Sequence, residues 1–242
     1  RVRVYGEVSG GILCSGAEIG LEEISTGILE FDGIATIGQS VTEYLSLDDI
    51  VVDIDLTPDR GDCLSMLGLA REIAAIRGKT VKKVQIHSQK AKVSRKIPML
   101  VAVPADAPRY IGRVIEGLEA SGKTPDWMKE HLRRSGLRSL GPIIDVTNFV
   151  MMELGQPLHA FDIRSVHKSI VVRHARRGET LILLDGKEIE LLPETLVISD
   201  ELGPIGLAGI MGGQKSGVGR DTQAIFLESA YFRPGVISRR AR

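Results

Sequence analysis

The chain has 242 residues, 43% hydrophobic and 4% aromatic, and its 31 basic and 31 acidic side chains cancel to a formal net charge of zero. That length is enough to bury a core in one large domain or two modest ones, and a neutral chain lacks the global basic field that marks a nucleic-acid-binding protein. The two cysteines, Cys14 and Cys63, stand far apart outside any CxxC pair, which argues against a disulfide framework or a zinc site and for a reducing, cytoplasmic setting.

No apolar run approaches the ~20 residues a bilayer requires, and no leader opens the chain. The sequence starts at Arg1 in strand-like residues and stops at Arg242 in helix-like ones, so it is expected to be an internal piece of something longer. Residues 1–47 read as short strands between glycine turns: Val2, Val4 and Val8 lead to Gly10-Gly11, then Ile12 and Leu13, then residues 27–30. This is β chemistry too short to close a barrel alone. Residues 50–56, IVVDIDL, alternate apolar side chains with Asp53 and Asp55, which predicts a half-buried strand whose acids share a solvated face. A turn over 57–62 precedes a helix expected over 63–77, with Leu64, Leu67, Ala70 and Ala74 on one stripe and Gly78 as its stop. The Lys-rich stretch to about residue 96 reads as a linker.

A new unit begins at Ile97, with strand-like segments at 99–103 and 110–118. Thr124-Pro125-Asp126 is a helix start, with Thr as N-cap, Pro at the first helical position and an acid in the first turn. The helix is expected to turn Trp127, Met128 and Leu132 inward. Arg133, Arg134 and Arg138 form a basic cluster, read as a solvated helix end ahead of an RNA-backbone contact.

Residues 143–162, IIDVTNFVMMELGQPLHAFD, are the stretch around which the rest is organised. Ile144, Val146, Phe149, Val150 and Leu154 recur with helical spacing, Gly155 is a ready stop, and Pro157 prevents the helix from resuming. His159, eleven residues after Asn148, is therefore expected on a stiff turn after the helix. Strands follow at 169–174 and 180–184, an Asp185-Gly186 hairpin leads into 188–192, further strands lie at 196–199, 205–211 and 224–228, and Pro234 opens a last helix.

Two segments are candidates to face His159. In GLAGIMGG, residues 206–213, the glycines let backbone approach a ligand and aim N–H groups at an anion or carbonyl, although a glycine-rich bend in a sheet explains them equally well. In AIFLESA, residues 224–230, Glu228 ends an apolar run, and a carboxylate buried there must be paired, protonated or functional. No nucleophile–base pair is visible, since Ser229 lies outside any G-x-S-x-G elbow.

DIDLTPDRGDCLSMLGLAREIA, IIDVTNFVMMELGQPLHAFD, LLDG at 183–186, GLAGIMGG and IFLESAYF, in this order and spacing, resemble the β subunit of bacterial phenylalanyl-tRNA synthetases over essentially the whole chain. The resemblance implies an α+β, mixed multi-domain fragment. Residues 1–47 would be the C-terminal half of an OB-fold tRNA-binding domain, a partial OB-like β barrel. Residues 48–95 would be part of a small split α+β domain plus linker. Residues 97–242 would be most of a larger α/β editing module with mixed sheets. The activity implied is hydrolysis of tyrosine wrongly attached to phenylalanine tRNA, with a non-catalytic tRNA-docking scaffold as the rival.

By the same resemblance His159 corresponds to the histidine near the scissile ester and Glu228 to the residue that reads the tyrosine hydroxyl. Asn148, Pro157, Leu184, Gly209 and Gly212 correspond to pocket positions. No metal or cofactor is implied for this chain. ATP and Mg2+ would serve the whole enzyme at an aminoacylation site on the partner α subunit. The expected partners are tRNA(Phe) and that subunit, with no membrane. The family's pocket is completed by a Thr-x-Ala segment that would lie beyond Arg242, so the pocket is expected to be incomplete in this chain.

Overall fold

The structure is a computed structural model and describes residues 2–4, 6–25, 27–31 and 35–238. The chain divides into two compact units, 1–50 with 125–127, and 51–124 with 128–242. In the first, β1 (Val2–Val4) and β2 (Glu7–Ser9) form an antiparallel hairpin with Arg3 opposite Val8. A one-turn helix, α1 (Val41–Tyr44), follows. Phe31 meets Tyr44 edge to face at 4.8 Å, and Leu45 is buried. The strands expected at 12–13 and 27–30 are absent: Ile12, Leu13 and Ile28 are exposed in irregular backbone.

The second unit corrects a similar expectation. Residues 51–56 form no strand, and Val51, Val52 and Ile54 are exposed. Alternation supplies a face, but a strand also needs a neighbour for its N–H and C=O groups. The helix expected from residue 63 starts later, as α2 (Met66–Ile76), because residues 61–63 form a 3-10 turn and the Ser65 hydroxyl caps the helix by accepting from the Gly68 N–H at 3.1 Å. Leu64 therefore falls outside the helix and is exposed, while Leu67, Ala70 and Ala74 are half-buried. Residues 79–98 carry no helix or strand.

The rest of this unit is two facing sheets. β3 (Met99–Val101), β6 (Ile170–His174), β9 (Leu196–Ser199), β10 (Pro204–Leu207) and β11 (Met211–Gly212) form a five-stranded sheet in the order β11-β10-β9-β6-β3. All its pairs are antiparallel except β3 with β6. β4 (Arg109–Glu116), β12 (Ala224–Tyr231) and β5 (Leu158–Asp162) form an antiparallel sheet with β12 in the centre. β7 (Thr180–Ile182) and β8 (Glu188–Glu190) make the expected hairpin. Phe161 and Phe226 from the three-stranded sheet share one core with Ile170, Val172, Leu196 and Ile198 from the five-stranded sheet. Each such side chain contributes about 1.5–3 kcal/mol when fully buried.

Two helices lie between β4 and β5 in the chain. In α3 (Asp126–Arg134), Met128 and Leu132 are buried, but Trp127 is 52% exposed, against expectation. Residues four apart share a helix face, and Trp127 projects about 100° away from the stripe of Met128 and Leu132. Arg133 and Arg134 both pair with Glu130, at 2.9 and 3.6 Å. α4 (Pro142–Leu154) has Pro at its first position and ends on Gly155 at φ 76°, the stop expected from its sequence. Asp145, fully buried in its first turn, accepts from the Thr124 and Ser139 hydroxyls and from the Leu140 N–H, and so fixes the loop before the helix. α5 (Pro234–Ser238) closes the described chain.

Candidate functional site

β12 sets the site. Its register places Phe226 opposite Phe161 and Glu228 opposite His159 on β5, while on β4 Gly112 stands opposite Glu228 and Tyr110 opposite Ala230. Side chains directly opposite on antiparallel strands share a face. His159, Phe161, Phe226 and Glu228 thus share the face that carries the core. His159 is therefore on a strand, not on the turn its sequence suggests. Gly155 ends the helix and Pro157 keeps it from resuming, but Leu158 pairs at once with Ser229 and draws the following residues into the sheet.

Glu228 is only 7% exposed, and Tyr110 donates its phenol hydrogen to Glu228 Oε2 at 2.7 Å. Burial pushes the Glu228 carboxyl up to about 7, against the opposing pull of the Tyr110 hydrogen bond. Burial, joined by the charge of Glu228, likewise pushes the Tyr110 phenol up. Sequence reasoning missed Tyr110. The signal for it was a polar-tipped aromatic within an eight-residue strand whose neighbours on one face, Gly112 and Val114, are apolar.

His159 stands edge to face with Phe161 at 4.4 Å. Its Nε2 is buried without a hydrogen-bond partner. Burial pushes its pKa down to about 4, so the ring is neutral near pH 7. Gly212 lies against the ring: a Cβ there would meet His159 Cε1 at 2.4 Å and Nε2 at 2.7 Å, and Leu184 Cδ1 at 3.3 Å. Only glycine fits. The structure thus brings Glu228, His159, Gly212 and Leu184 together.

The other three expected site residues lie on other segments of the chain. Asn148 is half-buried on α4, which packs beside β5. Pro157 is exposed, and Gln156 ties its segment to β12 by donating to the Ala230 carbonyl at 3.3 Å. Gly209, at φ 68°, abuts Phe232 and Ile237. In the glycine-rich segment, the N–H groups of Ile210 and Gly213 donate to the carbonyls of Leu207 and Ile205, so those two are not aimed at a ligand.

Asp162, at the end of β5, is structural. Burial would raise its carboxyl, but hydrogen bonds from Arg164 and Thr222 hold it at about 2. Among the described residues, Asp62, Cys63 and Glu72 are the one group spaced to hold a cation. The Arg60 guanidinium already lies among them, at 3.0 Å from Asp62 and from Cys63 Sγ and 2.7 Å from Glu72. A cavity of about 520 Å³ beside Arg164, His167, Asp200 and Lys215 includes neither His159 nor Glu228. No helix among the described residues is long and apolar enough to cross a membrane.

Residues 106–242 match the family model described as the B3/4 domain. Over its full length the chain is 48% identical to the phenylalanine–tRNA ligase beta subunit of Hahella chejuensis and 50% identical to that of Methylococcus capsulatus, covering 31% of each. The beta subunit of Coxiella burnetii is 48% identical with the same coverage. The chain thus spans about a third of the length of the curated relatives it matches. An N-terminal fragment of the phenylalanyl-tRNA synthetase beta subunit from Pyrococcus horikoshii aligns at a TM-score of 0.43 and 16% identity, over 73% of this chain and 54% of that one, too loosely to carry an argument.

Proposed function

The chain belongs to the B3/4 domain family, and from that premise we propose that it is part of a phenylalanine–tRNA ligase beta subunit and hydrolyses the ester of tyrosine mistakenly attached to phenylalanine tRNA. The observation that carries this reading is the buried Glu228 carboxyl facing His159 across one strand pair on an apolar sheet face.

An apolar pocket shaped for phenyl rejects an added hydroxyl by only about 100-fold, so an enzyme that selects phenylalanine needs a second site. A site built on a buried acceptor selects the hydroxyl sharply, because phenylalanine leaves that acceptor unpaired. Glu228 is such an acceptor. Water attacks the ester carbonyl, the bond to the ribose oxygen breaks, that oxygen takes a proton from the water and becomes the free ribose hydroxyl, and tyrosine leaves. An aminoacyl ester is already activated, so positioning contributes much of what the reaction needs. The low proton affinity of His159 makes it a poor base near pH 7. Its unpartnered Nε2 instead orients the water or the terminal ribose.

In this reading Leu184 and Gly212 form the wall beside His159, while Asn148, Pro157 and Gly209 complete the pocket around them. Residues 1–47 belong to an OB-fold tRNA-binding domain and 48–95 to a split α+β domain. tRNA(Phe) and an alpha subunit are the partners, in the cytoplasm. ATP and Mg2+ serve aminoacylation on that subunit. A second reading, a non-catalytic scaffold that docks tRNA and the alpha subunit, draws on the internal hydrogen bond that Glu228 already accepts.

The test is release of tyrosine from tyrosyl-tRNA(Phe) by the full-length protein and by His159→Ala and Glu228→Ala. The expected result is hydrolysis that spares phenylalanyl-tRNA(Phe), a rate loss of about 10- to 100-fold in His159→Ala, and lost discrimination in Glu228→Ala. An inert full-length protein hands the case to the scaffold.

A further inference from the structure

Resting on the editing reading, we infer that Tyr110 is a positioning residue for specificity: its phenol occupies Glu228 Oε2 and leaves Oε1 as the acceptor for a substrate's para-hydroxyl, so that the site reads one phenol with the help of another. The geometry is direct. Tyr110 and Glu228 are diagonal neighbours on β4 and β12, joined by a 2.7 Å hydrogen bond. Gly112, directly opposite Glu228, presents no side chain to compete for the carboxylate.

A carboxylate has about four acceptor sites, so holding one phenol leaves room for a second. The ionisable groups beside Glu228 are Tyr110 from β4 and His159 from β5. The core that packs on this face from the five-stranded sheet, including Ile170, Val172 and Ile198, is apolar. Tyr110 is thus the donor that favours the ionised form of Glu228 in a setting where burial favours the protonated one. With that donor gone, the carboxyl keeps its proton to higher pH. A protonated carboxyl carries a donor of its own and ceases to be an obligate acceptor for the substrate hydroxyl.

The test compares Tyr110→Phe with the parent in the full-length protein by three readouts. Binding of L-tyrosinamide against L-phenylalaninamide is expected to lose about 10-fold of its preference, as befits one charge-assisted hydrogen bond. The Glu228 carboxyl, followed by carbon-13 NMR, is expected to titrate at higher pH. KM for tyrosyl-tRNA(Phe) is expected to rise more than kcat falls. A double variant, Tyr110→Phe with Glu228→Gln, should discriminate no worse than Glu228→Gln alone, since the tyrosine acts through the glutamate. An unchanged carboxyl titration and an unchanged preference in Tyr110→Phe overturn the inference, as does a parent that does not prefer tyrosinamide. A parent that prefers tyrosinamide yet leaves the ester intact defeats the editing reading while the role of Tyr110 stands.

Discussion

His159 and Glu228 face each other across the β5–β12 ladder, and burial drives their proton affinities in opposite directions. Glu228 titrates at about 7 in the fold against an ordinary 4.5. Between those values the native state holds a proton that the unfolded chain has released, so stability falls by about 3 kcal/mol as pH rises. His159 titrates at about 4 against an ordinary 6.5. In that window the unfolded chain binds the extra proton, so stability rises with pH by a similar amount, about 3 kcal/mol. From pH 4.5 to 6.5 the two slopes oppose and largely cancel. Denaturant unfolding across this range should show Glu228→Gln gaining stability with pH relative to the parent and His159→Gln losing it. Two variants that follow the parent's slope would refute the coupling of these titrations to folding. The burial of Glu228 was legible in the sequence because an apolar run leads up to it. Its partner was not: alternation in residues 109–116 marks a face, but the register that brings Tyr110 beside Glu228 depends on a strand more than a hundred residues further on.

Among the elements, the β4–β12 pair is held by a fit that glycine alone permits. A Cβ on Gly112 would lie 1.9 Å from Phe226 Cζ and 2.8 Å from Met99 Sδ. Gly112→Ala is therefore expected to cost about 3 kcal/mol through overpacking, and Phe226→Leu in the same chain should restore part of it. A Gly112→Ala variant within about 0.5 kcal/mol of the parent would show that the ladder yields easily. Local signals recovered the body and end of α4, because its apolar spacing and glycine stop lie within its own sequence, although Val146 of that spacing is exposed. They failed at 51–56, where pattern without a pairing neighbour makes no strand. They also carried His159 onto a turn, because its strand exists only through pairing with β12.

At the scale of the whole chain, residues 79–96 contain seven exposed basic side chains, Lys79, Lys82, Lys83, Lys90, Lys92, Arg95 and Lys96, in backbone without helix or strand. Trypsin at low dose is expected to cut there first and to leave a resistant product beginning near residue 97. First cuts within the two facing sheets would contradict that order. The position of β12 reaches further, into the biosynthesis of the protein. It is the middle strand of its sheet, yet it is made last of the three, and it joins residue 109 to residue 231. While a ribosome completes the intervening sequence, for about ten seconds at ordinary elongation rates, β4 and β5 wait with unpaired edges. A nascent chain halted before residue 224 therefore lacks the strand that covers both edges, and in that interval the chain depends most on a chaperone.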